Sequence, residues 1–191
     1  MKDDKALKKF FHADSWRQSI DRFPLSGMAL VGEVNSRKPR VVVDVGCGFN
    51  PFKGKIRNLV GIDLVNEHAD IVCDLHDAPF KPESVDIALA LGSINFGQSE
   101  DIIDGLRTVA AWIVPGGLLY VRANPGQSVD STVTIFPWSE TLAFEFGEQV
   151  GLAVVGKVQE EKIVDARGNP ITRLFWVYEK PESSVSSRAS P

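Results

Sequence analysis

Two short stretches of the 191-residue chain combine residue types and spacing suited to holding a ligand. The first reads Asp44-Val45-Gly46-Cys47-Gly48-Phe49-Asn50-Pro51, behind the apolar run Val41-Val42-Val43. The second reads Gly61-Ile62-Asp63-Leu64 and puts Asp63 seventeen positions after Gly46. In an open α/β sheet, ligands sit beyond the carboxyl ends of the strands. Glycines there let the backbone come close, and an acid on the next strand can accept both hydroxyls of a ribose. The pattern points to a ligand that carries a nucleoside.

Charge decides which nucleoside. A dinucleotide needs its pyrophosphate held at a full helix N-terminus, ideally with a third glycine. Pro51 stands in that place, Asp44 adds a negative charge, and only the dozen residues Cys47 to Asn58 lie between the two strand-like runs. A strand-helix-strand connection normally takes at least about 10 to 12 residues, so one turn of helix or an irregular loop is expected. S-adenosylmethionine suits such a site better, because it has no phosphate and carries a sulfonium and an ammonium that a carboxylate attracts. A nicotinamide-dependent oxidoreductase is the competing reading.

The elements that position these residues follow from hydrophobic patterning. Continuous apolar runs at 41–46, 59–64, 69–74, 85–91 and 117–123 predict strands covered on both faces, as in a parallel sheet. Between the last two, residues 99–113 place Ile102, Ile103, Leu106, Val109, Ala110 and Ile113 on one helical face, ended by Pro115-Gly116-Gly117. A second helix is predicted over 139–151, opened by Trp138-Ser139-Glu140. Residues 152–164, a polar turn at 166–170 and residues 171–180 predict a closing antiparallel hairpin. The expected fold is α/β: a doubly wound, mostly parallel seven-stranded sheet with an antiparallel C-terminal hairpin. Before it, Leu7, Phe10, Phe11, Trp16, Ile20 and Phe23 recur at helical intervals up to Pro24. Residues 1–36 are therefore expected to form a helical segment, 37–180 the ligand-binding domain, and 181–191 a disordered tail.

Composition bounds the class. At 43% hydrophobic and 24% charged residues the chain is neither disordered, collagen-like nor a disulfide scaffold. A formal charge of -4 argues against the chain-wide basic footprint of sequence-independent nucleic-acid binding. Arg37, Lys38, Arg40, Lys53, Lys55 and Arg57, set against Asp44 alone, predict a local positive patch or a solvated surface. Cys47 and Cys73 lack metal-site spacing, so no metal and reduced thiols are expected, Cys47 as a loop filler and Cys73 as a buried strand residue. The charged N-terminus lacks a signal-like apolar core and no apolar run approaches the roughly 18 residues that span a bilayer, so a cytoplasmic location away from membranes is expected.

In this order the motifs resemble those of the class I S-adenosylmethionine-dependent methyltransferases, from about residue 40 to residue 179. The matching stretches are Val41 to Gly48, Val60 to Leu64, Cys73 to Phe80 leading into Ser84 to Ala88, Leu91 to Phe96, and the helices around Pro115-Gly116-Gly117 and Trp138-Ser139-Glu140. The resemblance implies that Gly46, Cys47 and Gly48 form the loop under the methionine part of the cofactor, with Asp44 anchoring that loop and the cofactor ammonium. It implies that Asp63, with Leu64, binds the ribose diol, that Asp74 and Leu75 meet the adenine, and that Gly92 and Ser93 line the methionine side. Asn95 and Phe96 would face the transferred methyl. The short first connection, and Asn50 where many members have another glycine, depart from the family pattern.

Methyl transfer from a sulfonium is an in-line displacement in which positioning and exclusion of water do most of the work. A base is needed only if the acceptor must lose a proton, and His76 is the candidate; His12 and His68 read as surface residues. Neither Asn/Asp-Pro-Pro-Tyr/Phe nor a Pro-Cys nucleophile is present, which argues against DNA as the acceptor; Asn124-Pro125-Gly126 reads as a turn. Asp86 opens its strand at the end opposite the site and reads as structural, while Arg122 suits either an acidic substrate or a salt bridge at the sheet edge. The expected activity is methyl transfer to a small molecule or an exposed group of a macromolecule, by a monomer or homodimer. The alternative is a non-catalytic S-adenosylmethionine-binding module that supports a partner protein. Phe10, Phe11 and Trp16 either pack a helix on the sheet or form a lid over the substrate.

Overall fold

Each of the apolar runs between Val41 and Ala123 forms a strand, and their order in space follows from which faces they must bury. The computed structural model describes residues 4–12, 26–125, 133–165 and 168–182. Within them the strands are β1 (Val42–Val45), β2 (Leu59–Asp63), β3 (Ile71–Val72), β4 (Val85–Leu91), β5 (Ile113–Ala123), β6 (Ala153–Val154), β7 (Gln159–Val164) and β8 (Pro170–Glu179). They form one sheet in the order β3-β2-β1-β4-β5-β8-β6, with β7 also paired to β8. The pairs among β1 to β5 are parallel, and β8 runs antiparallel to β5, β6 and β7. Eight strands therefore occupy the seven expected positions. The segment 152–164 bends after Val154, so that β6 and β7 lie one after the other along the same edge of β8.

Helices α1 (Asp4–His12), α2 (Leu30–Ser36), α3 (Ser99–Trp112) and α4 (Glu140–Gln149) cover the sheet unequally. On one face α3 and α4 press Ile102, Leu106, Val109, Ala143 and Phe146 onto Val43, Ala88, Leu119 and Trp176. The other face, Val42, Ile87, Leu89 and Tyr120, is covered by Val34 of α2 together with Phe52 and Ile56. Those last two belong to the short first connection. It forms successive turns, with Ile56 N–H donating to Phe52 O, so two inward side chains do the covering that a full helix would otherwise do.

Two boundaries differ from the periodicity. Helix α3 ends at Trp112, and Ile113 already pairs with Val85 at the start of β5. Pro115-Gly116-Gly117 then forms a bulge, since the next register pair is Ile87 with Leu118. Strand β3 is only two residues long, and Cys73 lies just beyond it, half-buried. At the N-terminus, α1 carries Leu7, Phe10 and Phe11, and a 3-10 turn (Ser26–Ala29) leads into α2. The expected helical positions Trp16, Ile20 and Phe23, part of the 166–170 turn and the tail from 183 onward lie outside the described residues. Asp86 has a structural role: its carboxylate accepts from the Arg40 and Val41 backbone N–H groups and pairs with the Arg40 guanidinium.

Candidate functional site

The carboxyl ends of β1, β2 and β4 open on one side of the sheet, where the chain order switches from β1–β2–β3 outward in one direction to β4–β5 in the other. That is where open α/β sheets hold ligands. A cavity of about 240 Å³ lies there. Its walls include Gly46, Gly48, Asp63, Leu64, Asp74, Leu75, Gly92 and Ser93, and also His76 and Phe96. Asp44, Cys47 and Asn95 are buried beside it and do not line it.

Gly46 sits at φ +65°, and a Cβ there would stand 2.5 Å from the Ser93 Cβ. The β1 turn and the β4 turn therefore touch with no room for a side chain between them. Ser93 Oγ is buried with no hydrogen-bond partner, although the residue lines the cavity. A buried hydroxyl without a partner is uncommon in native structures and fits a group awaiting a ligand.

Asp63 is shaped by its own loop. Its Oδ1 accepts from Val65 N–H at 3.0 Å and Asn66 N–H at 2.9 Å, and its Oδ2 accepts from Gly48 N–H at 3.0 Å. A carboxylate offers about four acceptor sites, so one position on Oδ2 remains for a ribose hydroxyl. The same bonds tie the β1 loop to the β2 loop. Asp74 caps the 3-10 turn Leu75–Asp77 through His76 N–H at 2.9 Å, which fixes the β3 end of the cavity.

Asp44 lies under the β1 loop. Burial, reinforced by the Asp63 charge and opposed by Arg122, pushes its carboxyl up to about 8. It is largely protonated at neutral pH. Arg122 lies on interior strand β5, not at a sheet edge, within electrostatic reach of Asp44 and Glu161. Burial and the nearby carboxylates raise the Cys47 thiol, so it is inert, and burial also raises Cys73, which lines the cavity. His76 Nδ1 lies 2.9 Å from Thr108 Oγ1, and Nε2 lies 3.5 Å from Asp104 Oδ2. Thr108 Oγ1 itself donates to Asp104 O, so Nδ1 carries the proton toward it. In that tautomer Nδ1 is tied to α3, while Nε2 carries a lone pair facing the Asp104 carboxylate and pairs with it only when the ring is protonated. Asn95 accepts at Oδ1 from Asn124 N–H at 3.4 Å and at its backbone O from Phe136 N–H, joining the β4 loop to the segment beyond β5.

Phe11, one of the two possible lid phenylalanines, lines the cavity, and several lining residues escape the sequence reading: Leu7 of α1, Val65 and Asn66 after β2, Cys73, and Asp101 and Gly105 of α3. Leu7 and Phe11 are spaced one helical turn apart, which is the signal that they share a face. The Phe11 ring meets Phe96 edge-on at 5.2 Å and Phe10 lies 6.3 Å from Phe96, so α1 closes over the mouth. Asp101 caps α3 by accepting from Gln98 N–H, a capping box that the sequence leaves inconspicuous because Gln stands at the cap. Three of the six cations of the positive patch pair with acids from outside it: Arg37 with Glu33, Arg40 with Asp86, Lys53 with Asp70.

The family described as "Hypothetical methyltransferase" matches residues 1–149. The fold is similar to the 1,6-didemethyltoxoflavin-N1-methyltransferase of Burkholderia thailandensis, solved with 1,6-didemethyltoxoflavin and S-adenosylhomocysteine, at a TM-score of 0.73 and 14% identity over 93% of this chain and 88% of that one. Ribosomal RNA-processing protein 8 of Rattus norvegicus is 30% identical over 123 residues, 62% of this chain and 26% of that protein. The Dictyostelium discoideum protein of the same name is 25% identical over 134 residues, 67% and 33% respectively. The chain thus spans a third or less of the length of these curated relatives. Among the described residues no helix is long and apolar enough to cross a membrane.

Proposed function

Because the chain belongs to the family described as a hypothetical methyltransferase, we propose that it transfers the methyl group of S-adenosylmethionine to an exposed group of an RNA. The observation that carries the cofactor is the cavity at the β1–β4 switch point. There Gly46 leaves backbone room, Ser93 presents an unpartnered hydroxyl and Asp63 keeps one acceptor site. RNA, rather than a free small molecule, is supported by the relatives named for ribosomal RNA processing.

Bound S-adenosylmethionine supplies an electrophilic methyl on its sulfonium. Asp63 would hold the ribose, Asp74 and Leu75 the adenine, and the Gly46–Ser93 contact the methionine end. Asp44, buried under the β1 loop, would anchor that loop beneath the cofactor's cationic end. Phe96, Phe11 and Leu7 exclude water from the mouth and restrict how an acceptor enters, which is where most of the rate of an in-line displacement arises. An acceptor with a free lone pair reacts in such a displacement without a protein base, and the second reading is a binding module without turnover.

A calorimetric titration with S-adenosylmethionine, wild type against Asp63→Ala, tests the cofactor: micromolar binding by the wild type, weakened at least about tenfold by the loss of a charge-assisted bond, is expected. No binding by the wild type would remove both readings. Transfer of labelled methyl groups to total RNA separates them, since a module binds without releasing S-adenosylhomocysteine.

A further inference from the structure

We propose that the outward face of α1, together with a small pocket beside it, binds the single-stranded RNA that flanks the methylated group; this rests on the RNA reading above. Helix α1 has two opposed faces. Leu7 is 5% exposed and turns with Phe11 into the cofactor cavity, while Phe10 and Phe11 meet Phe96. Lys5, Lys8, Lys9 and His12 fall at i, i+3, i+4 and i+7, and all four are exposed. In a chain of net charge -4, the three lysines concentrate directly over the mouth of the site.

Beside that face lies a second cavity of about 130 Å³, sharing Phe11, Val65 and Asn66 with the first and bounded by His12, Phe49 and His68. Phe49 is 42% exposed, in a turn that immediately follows Gly48, and its ring stands edge-on to His68 at 5.3 Å. An exposed ring next to a basic track is the arrangement by which proteins hold single strands: bases stack on the aromatic and phosphates follow the cations. Among the described residues Glu67 is the single acid on the pocket wall. A membrane surface suits the same lysines less well, because an interfacial helix inserts its apolar face and here that face is already buried on the cavity.

The test is anisotropy of a fluorescein-labelled single-stranded RNA of mixed sequence, roughly 12 nucleotides long, with the full chain and S-adenosylhomocysteine at about 50 and 200 mM salt. The double variant Lys8→Gln, Lys9→Gln is expected to flatten the logarithmic salt slope by about 0.7 for each phosphate that is no longer neutralised. Its calorimetric affinity for S-adenosylhomocysteine should match the wild type. Phe49→Ala is expected to weaken binding about tenfold with the slope unchanged, as removal of one stacking ring would. Wild-type methylation of RNA with both variants binding it normally would overturn this surface and leave the activity standing. A wild type that neither binds nor methylates RNA would overturn the RNA reading and this surface with it. Lysine-dependent binding to anionic lipid vesicles in place of RNA would overturn it in favour of a membrane.

Discussion

Asp44 and Asp63 stand on adjacent strands with opposite environments, and the contrast gives each its use. Asp63 accepts three backbone N–H bonds and lines the cavity as a charged acceptor. Asp44 is buried beside that charge, and desolvation raises its carboxyl to about 8. Its unfolded value is ordinary, so between about pH 4 and pH 8 the folded chain keeps a proton that the unfolded chain has released. Stability from this group is therefore present at low pH and falls as pH rises, by up to about 1.4 kcal/mol per unit across that window. Asp44→Asn has no proton to lose. Urea unfolding of the ligand-free protein at pH 5 and pH 8 should give a smaller pH dependence for the variant, and a variant as stable as the wild type or more so at pH 8. Equal slopes in the two proteins would place the proton elsewhere.

The first connection works as an element without a helix. Asn50, at φ +55°, reaches the Asp70 carboxylate and the His68 carbonyl, and Asp70 also accepts from Gly61 N–H and pairs with Lys53. Burial pushes the Asp70 carboxyl up, but the Lys53, Gly61 and Asn50 hydrogen bonds outweigh it and hold it low, so its contribution is lost only in acid, below the ordinary carboxylate range. On the opposite face the packing is tight: a Cβ on Gly147 of α4 would stand 2.5 Å from the Tyr178 ring and 3.0 Å from Leu152 O. Gly147→Ala should therefore lower stability by about 1–3 kcal/mol in denaturant titrations, against the small gain that alanine brings to an open helix position. A neutral or stabilising result would mean that α4 shifts freely on β8. Patterning made the strands, α3, α4 and the glycine loop legible, because buried parallel strands and amphipathic helices write their periods into the sequence. The Pro115-Gly116-Gly117 bulge was not legible, since Pro-Gly-Gly reads equally as a turn. The Asn50–Asp70 cluster was hidden because its members are twenty residues apart and polar. Asn95 and His76 carried suitable chemistry, but only three-dimensional partners show that one supports a loop and the other is tied to α3.

At the scale of the molecule, the sheet supplies a rigid floor and α1 supplies the roof. The floor is held on both faces by buried cores, whereas α1 is nine residues long and too short to be stable alone in water. Its hold on the body includes contacts over the cavity, with Leu7 within it and the Phe10 and Phe11 rings on Phe96. A ligand filling that cavity touches α1 from below and so binds the closed arrangement more tightly than the open one. Ligand at about a hundredfold its Kd stabilises the arrangement it selects by about 2.7 kcal/mol, which reduces the open population about a hundredfold. Trypsin reports that population, because cleavage after Lys8 or Lys9 requires the helix to unwind. Saturating S-adenosylhomocysteine is therefore expected to slow cleavage at these two lysines strongly. Phe96→Ala should speed it in the ligand-free protein by removing aromatic contacts of roughly 0.5–1.5 kcal/mol each. Cleavage at the same rate with and without the ligand, under conditions where calorimetry shows it bound, would mean that α1 covers the cavity without sensing what fills it.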